Sequence, residues 1–508
     1  MKETQTDAES SRRDFLKVAT TVAGTLATGV VGTVEAQAAQ GKKMVAKATK
    51  TKPTAAAKQA GGTKLAGKAK IPVPTIDAKA MTGGKFPMGT KLATGRAIGA
   101  NDRVTIGFVG VGSQGYNAHL RSYADHLADW NVALVAVSDP FDLYITRAAD
   151  YIKSKNGGAD VLGERDYRKV IERSDIDAIV IATPEHWHGQ IAVHAMQAGK
   201  HIYCEKPMTR YLDEAFQVHD VAIATKRAYQ VGSQGCTDVR WHATGKAIRE
   251  GKIGKLVMGQ SSYTRNNRYG EWNYKIEKEI SPETFDWDLW LGSAPQRPWN
   301  HSGPADQNIQ PERDDTGARF RRYRKYWDYS AGILGDLAPH RLHPFMIASG
   351  NPEFPSRVMS IGTHGAQNKD REVPDTVQVI AEFPSGWSML FVGSTVNEQG
   401  LEDMFRGEKA TVYFGNGVEV RPERPWTEEI EGEKVDTSAA DLARYARTEN
   451  IPAHQQNWLE AIRMDKPMHC NANYDIAIKV QTLISLAEMS ERLGKAMSFD
   501  PKTRKITG

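Results

Sequence analysis

The run Val104-Thr-Ile-Gly-Phe-Val-Gly-Val-Gly-Ser-Gln-Gly115 constrains the fold of this chain more than any other stretch of it. An apolar strand leads straight into the glycine pattern Gly110, Gly112 and Gly115, which predicts a tight strand-to-helix turn. Gly110 permits the sharp turn, Gly112 lets backbone approach a pyrophosphate, and Gly115 lets the following helix pack close to the sheet. Ser113 and Gln114 open that helix, whose N-terminus faces the negative charge. A glycine-rich turn of this kind also serves purely structural ends, so the pattern alone leaves both roles open. The next strand narrows the choice. Val132-Ala-Leu-Val-Ala-Val-Ser138 is apolar throughout, as expected of a strand buried on both faces of a parallel sheet, and it ends at Asp139. A carboxylate there accepts both ribose hydroxyls of an adenosine and repels a 2′-phosphate. NAD is therefore the expected cofactor, with NADP as the alternative.

From Arg103 onward strand and helix patterns alternate, the signature of a doubly wound sheet. Asp177-Ala-Ile-Val-Ile-Ala-Thr183 reads as a buried strand that stops at Pro184, before Glu185-His-Trp-His188 and a helix over 190–199. Lys200-His-Ile-Tyr-Cys-Glu205 is the next strand and ends at Lys206-Pro207. Ligands bind beyond the C-terminal ends of such strands, which directs Thr183, His188, Glu205 and Lys206 toward the crevice of the glycine turn. A helix over 212–228 and a strand over 228–232 complete this Rossmann domain, assigned to residues 101–233. An α+β domain over 234–452 follows. Its strand candidates, 256–264, 357–362, 376–383, 388–393 and 410–414, suggest a large, mostly antiparallel, open-faced sheet. Helices over 453–463 and 476–493 show helical apolar spacing and are expected to brace the domain interface within 453–508.

Ahead of these domains, Ser11-Arg12-Arg13-Asp14-Phe15-Leu16-Lys17 precedes a mildly apolar stretch and Ala36-Gln37-Ala38, a small-residue cleavage pattern. Residues 1–38 resemble a twin-arginine export signal, which implies the export machinery as a partner and a periplasmic or otherwise exported destination. The stretch is too weakly apolar for a stable membrane span. Export of an already folded protein suits a nucleotide acquired in the cytoplasm and tightly bound thereafter. Residues 39–100 read as a flexible arm, because Gly41–Lys70 is rich in Lys, Ala and Thr with no acid and no aromatic residue. Without aromatics for stacking, nucleic acid is not an expected partner. Cys204, Cys236 and Cys470 form neither a disulfide framework nor a zinc pattern.

The glycine turn, the Ala-Thr-Pro-x-x-x-His run ending at His188, and Ala198-Gly-Lys-His-Ile-Tyr-Cys-Glu-Lys-Pro207 together resemble the Gfo/Idh/MocA family of sugar and cyclitol oxidoreductases. Trp327-Asp-Tyr-Ser-Ala-Gly-Ile-Leu-Gly-Asp-Leu-Ala-Pro-His340 is similar to that family's second-domain motif, in which an Asp and a His four residues on face the substrate. The resemblance implies a carbohydrate substrate, hydride exchange between a secondary hydroxyl and nicotinamide, and a catalytic set of Lys206, Asp336 and His340. A homo-oligomer is also expected. Lys206 suits stabilisation of alkoxide character, His340 the taking of the hydroxyl proton, and Asp336 the orientation of either. A glycosidase working by transient oxidation, elimination and re-reduction is the alternative outcome of the same chemistry, and a non-catalytic sugar-binding protein a further one.

Bland readings stand beside these. His340 satisfied by a helix carboxylate would be a core histidine, and Trp287, Trp290 and Trp299 serve either sugar stacking or loop packing. Asp336, His340 and His343, like His186 and His188, lack a complete ligand set, so no metal is expected. Ala331, Ala338, Pro339 and His343 depart from the family pattern, which leaves the substrate's identity open. The cluster Arg319, Arg321, Arg322, Arg324 and Lys325 reads as a sugar-acid site or as a solvated loop paired with Asp314 and Asp315.

Overall fold

The computed structural model describes residues 81, 83, 86 and 93–508, apart from 368, 369 and 416. The export-signal segment and most of the expected arm lie outside the described residues. The end of that arm is docked rather than free: Arg96 donates to both carboxylate oxygens of Asp177 (2.9 and 2.8 Å), and Ala93 N–H to Gln197 C=O at 2.8 Å.

Six parallel strands form the first sheet: β1 (Val104–Val109), β2 (Val132–Ser138), β3 (Leu162–Glu164), β4 (Ala178–Ile181), β5 (His201–Glu205) and β6 (Tyr229–Gly232). Their order is β3-β2-β1-β4-β5-β6. The winding reverses between β1 and β4, which opens a crevice at their C-terminal ends. Every residue of β4, β5 and β6 is buried, so a near-continuous apolar run is what these positions demand. The helix after Pro184 starts earlier than its apolar spacing suggests and spans Glu185–Gln197. His186 and His188 therefore sit in its first turns.

The second sheet has ten strands, ordered β14-β13-β12-β11-β7-β10-β9-β8-β15-β16. The strands are β7 (Leu256–Thr264), β8 (Arg357–Thr363), β9 (Thr376–Glu382), β10 (Ser388–Ser394), β11 (Met404–Gly407), β12 (Ala410–Gly415), β13 (Gly417–Pro422), β14 (Glu433–Lys434), β15 (Met497–Asp500) and β16 (Lys505–Thr507). Only β7 and β10 pair in parallel; the other pairings are antiparallel. The buried side of the sheet packs on the helix Tyr474–Leu493, where Ser490 Oγ accepts from the β8 amide of Ser360 at 2.9 Å. That helix also touches the first domain through a buried pair, Glu488 accepting two bonds from Arg210 (2.7 and 2.8 Å). The helix Ile451–Arg463 turns back onto the parallel sheet, where Trp458 lies against Tyr203 with ring centroids 5.8 Å apart. No helix among the described residues is long and apolar enough to cross a membrane. All three cysteines are buried and unbridged.

Candidate active site

The glycine turn opens into a cleft with a cavity volume of about 440 Å³. Three glycines serve it differently. Gly110 has φ +83°, and a Cβ there would stand 2.5 Å from Thr183 N. A Cβ at Gly115 would strike the carbonyl oxygen of Gly110, so these two glycines are required by the protein's own packing. Gly112 is different. A Cβ there would meet no protein atom closer than a Tyr144 ring carbon at 3.4 Å, ordinary contact, on a residue that lines the cleft. Its lack of a side chain serves whatever lies in the cleft. Across from it Thr183 lines the same space, and its buried hydroxyl has no hydrogen-bond partner among the described residues. A cradle floored by Gly112 with an orphaned hydroxyl opposite fits a dinucleotide.

Asp139 closes the end of β2 and lines the cleft. Its two oxygens accept from the amides of Val111 (2.9 Å) and Phe141 (3.1 Å), so it also ties the glycine turn to the next loop. Burial pushes its pKa up to about 7, against the pull of those two amides. Ser113, Gln114 and Glu205 line the cleft as well. Burial alone would raise the Glu205 carboxyl, but the bond from His119 (2.6 Å) and the nearby Lys206 hold it well below the usual carboxylate range. Gln114 Nε2 donates to the same Glu205 oxygen at 3.1 Å. His188 stands behind the wall rather than in it, its nitrogens 2.8 Å from Pro207 C=O and 2.9 Å from Thr183 C=O. It braces the two strand-end loops instead of facing a ligand. Gly115 likewise packs the helix and does not reach the cleft.

Lys206, Asp336 and His340 all line this cavity. Lys206 follows β5 and its ammonium donates to Asp336 Oδ1 at 2.6 Å and to the Asp336 carbonyl at 2.8 Å. Asp336 ends a short helix, Ile333–Asp336, and His340 stands in the first turn of the next, Pro339–Ala348. Proline has no N–H to continue the first helix and is pre-set for the start of the second. Burial disfavours the Asp336 anion, yet Arg324 and Lys206 overcome that penalty and keep its carboxyl well below the usual range. Arg324 Nε adds a bond to Oδ1 at 2.7 Å, and Trp272 Nε1 one to Oδ2 at 2.8 Å. Neither Arg324 nor Trp272 stood out in the sequence as a partner of Asp336. Glu185 was also missed; it accepts from Ser330 Oγ and from the Ala331 amide (3.2 Å), fastening the turn ahead of Asp336 to the first domain.

The His340 imidazole stacks on Tyr263 with centroids 5.2 Å apart and makes no hydrogen bond to a described side chain or carbonyl. Burial, reinforced by Lys206, drives its pKa down to about 3, so the ring is neutral at ordinary pH and a weak base until a substrate changes its surroundings. His343 points into the core, with Nδ1 3.0 Å from both Pro339 C=O and Ser233 Oγ. It does not converge with Asp336 and His340.

The aromatic tract between Trp272 and Tyr329 is mostly packing. Trp287 and Trp290 stack on each other at 5.0 Å, and Trp290 alone of the two reaches the cleft. The basic cluster is paired internally rather than solvated. Arg322 is buried on the carbonyls of Tyr274, Ile309 and Asp306, and Lys325 bonds Asn273 at 2.8 Å. Only Arg321 and Arg324 of the five line the cleft.

Comparison with known proteins agrees with this architecture. The α-N-acetylgalactosaminidase of Shewanella oneidensis is 28% identical over 235 residues, 45% of this chain and 49% of that protein. The chain thus spans about half the length of the curated relatives it matches. A WlbA dehydrogenase from Chromobacterium violaceum, solved with NADH and UDP-GlcNAcA, shares the fold at TM-score 0.56 and 18% identity, over 80% of this chain and 99% of its own. Levoglucosan dehydrogenase solved with NADH matches at TM-score 0.54 and 18% identity, over 78% and 98%. Residues 104–233 fit the model of an oxidoreductase family's NAD-binding Rossmann fold and residues 243–508 that of its C-terminal alpha/beta domain, so the chain belongs to the Gfo/Idh/MocA oxidoreductase family.

Proposed function

We propose that this protein is an exported oxidoreductase that holds NAD and exchanges a hydride with a secondary hydroxyl of a sugar, cyclitol or glycoside. The observation that carries the reading is the meeting of Lys206, Asp336 and His340 in one cavity with the glycine turn. Bound NAD supplies the hydride acceptor or donor. His340, neutral and unbonded, takes the proton of the hydroxyl as the C–H bond breaks and the carbonyl forms. Lys206 donates to the same oxygen and stabilises its alkoxide character. Asp336 holds the Lys206 ammonium in place. A second cavity of about 410 Å³, walled by Arg265, Arg341 and Glu449, adjoins the first at Arg265. It supports a substrate larger than one ring.

That adjoining space, with the glycosidase name of a relative, favours a second reading: oxidation next to an acidic C–H, elimination of the leaving group, addition of water and re-reduction. A glycoside panel followed at once for released aglycone and for nicotinamide absorbance separates the two. Persistent reduction without aglycone marks a dehydrogenase; aglycone without net reduction marks a glycosidase; neither signal removes both.

NAD over NADP is the proposed preference, because Asp139, ionised in part of the molecules at neutral pH, can accept ribose hydroxyls and in its charged form repels a 2′-phosphate. Asp139→Ala is expected to shift the nucleotide recovered from denatured protein toward NADP by at least about tenfold, the size of one charge-assisted contact. Mass analysis of the released nucleotide checks this, and an unchanged ratio counts against the assignment.

Export through the twin-arginine route is proposed from Arg12 and Arg13, and it supports tight retention, since a folded protein carries its nucleotide across. Arg12→Lys with Arg13→Lys is expected to leave the precursor inside the cell, as cell fractionation would report. Normal export of the double variant refutes the route. A homo-oligomer is also proposed, supported by the half-exposed Met359, Ile361 and Ile380 on one face of β8 and β9. Light scattering reads it directly.

A further inference from the structure

The geometry points to a clamp on the adenosine end of the cofactor, built by Phe320 and Arg321 from beyond the Rossmann domain. This rests on the cleft holding a dinucleotide, as proposed above, but not on what reaction follows. Phe320 and Arg321 belong to the helix Thr316–Arg321, inserted between β7 and β8 of the second sheet, yet both line the cleft near Asp139 and Tyr144. The insertion is fastened to the loop after β2 at several points. Asp142 N–H donates to Thr284 C=O and Asp286 N–H to Pro140 C=O, at 3.0 and 2.9 Å, flanking a bridge between Phe141 and Phe285. Tyr144 OH donates to Glu277 at 3.0 Å, and Arg165 bonds Asp142 as well as Glu283 C=O. Phe320 packs on Phe285 at 4.4 Å and edge-on to Phe141 at 5.7 Å.

The loop that carries the ribose-facing Asp139 is therefore roofed by another part of the chain. Arg321 has its Nε held by Glu277 (2.7 Å) and by Lys275 C=O (3.2 Å). Its two Nη groups make no hydrogen bond to a described residue and are free for the nucleotide. An apolar ring and a guanidinium at this wall suit an adenine face and the polar groups beside it. A nucleotide seated under them leaves only when the loop 139–144 and the insertion part, breaking the bonds just named. Departure is thus gated by an opening step rather than by the strength of contacts in the glycine turn alone.

Exchange of bound nucleotide for isotopically labelled NAD, measured on the purified full chain without any sugar, tests the clamp. Wild type is expected to exchange over hours, and Phe320→Ala at least about tenfold faster, the effect of one lost aromatic anchor. Since Phe320 also packs in an aromatic cluster, Arg321→Gln is the second variant and is expected to speed exchange several-fold with only a small fall in melting temperature, because Glu277 keeps its bond from Tyr144. Exchange within seconds in wild type, or Arg321→Gln and Phe320→Ala that both keep the wild-type rate, overturns the clamp. Because no substrate enters the assay, a protein that exchanges as expected but oxidises no sugar refutes the proposed reaction and leaves the clamp standing.

Discussion

Lys206→Ala and His340→Ala are each expected to keep bound nucleotide and to slow hydride transfer by about two to four orders of magnitude, the usual size of a lost acid–base or oxyanion-stabilising group. The surroundings of each residue explain why the fold should survive. Without Lys206, Asp336 still accepts from Arg324 and Trp272, so its carboxylate remains paired. Removing His340 breaks no hydrogen bond and leaves only a gap against Tyr263. The two losses should be less than additive, because both groups act on one oxygen and its proton. Single-turnover reduction of bound NAD⁺ is the measurement. If His340→Ala stays near wild type, the base role does not lie with His340, and His343, committed to the core, does not replace it. Asp336→Asn should behave differently again. It leaves two cations around a neutral amide in a buried place, a disruption of about 3–5 kcal/mol where a buried pair is broken on one side. A fall in melting temperature should accompany its loss of rate. The pH profile offers a further check: with the His340 pKa near 3, its titration should leave no limb between pH 5 and 8.

The second large effect is expected at the glycine turn, and it should separate ligand from packing. Gly112→Val has room in the protein itself for its Cβ, which meets only the Tyr144 ring at ordinary contact distance. Its bulk points to where the pyrophosphate would pass. The variant should fold with a melting temperature close to that of nucleotide-free wild type yet retain no nucleotide, with affinity down by at least about a hundredfold, or about 2.7 kcal/mol. Gly115→Val should instead fail to fold normally, because the Cβ collides with the Gly110 carbonyl before any ligand arrives. Should Gly112→Val hold nucleotide as wild type does, the turn is structural only.

Much of this was legible because parallel strands buried on both faces write themselves as apolar runs. β1, β2, β4 and β5 stand out for that reason, and the residues just after them are where a doubly wound sheet gathers its ligands. The short strands β11, β14, β15 and β16 were missed, since two to four residues cannot display a period. The partners of Asp336 were illegible for another reason. Trp272 and Arg324 reach it 64 and 12 positions away in the chain, through a segment with no repeating pattern. Trp287, Trp290 and Trp299 stay undecided in the sequence because stacking on sugar and stacking on a neighbouring ring call for the same residues; Trp287 on Trp290 is the latter. His188 likewise has the position of a ligand contact but sits between two carbonyls, to one of which its single N–H donates.

The helix Ile451–Arg463 covers the parallel sheet, and Gln455 reaches His119 at 2.9 Å across 336 positions of sequence. His119 in turn is what holds Glu205 beneath Lys206. A chain still emerging from the ribosome can lay down all six parallel strands while Tyr203 and its neighbours lack the surface that Trp458 supplies. The wall of the cleft thus depends on contacts that are among the most distant along the chain. Closing so long a loop is slow relative to forming local helices. A chain that ends before this helix carries the glycine turn but lacks the Gln455 contact behind His119 and Glu205.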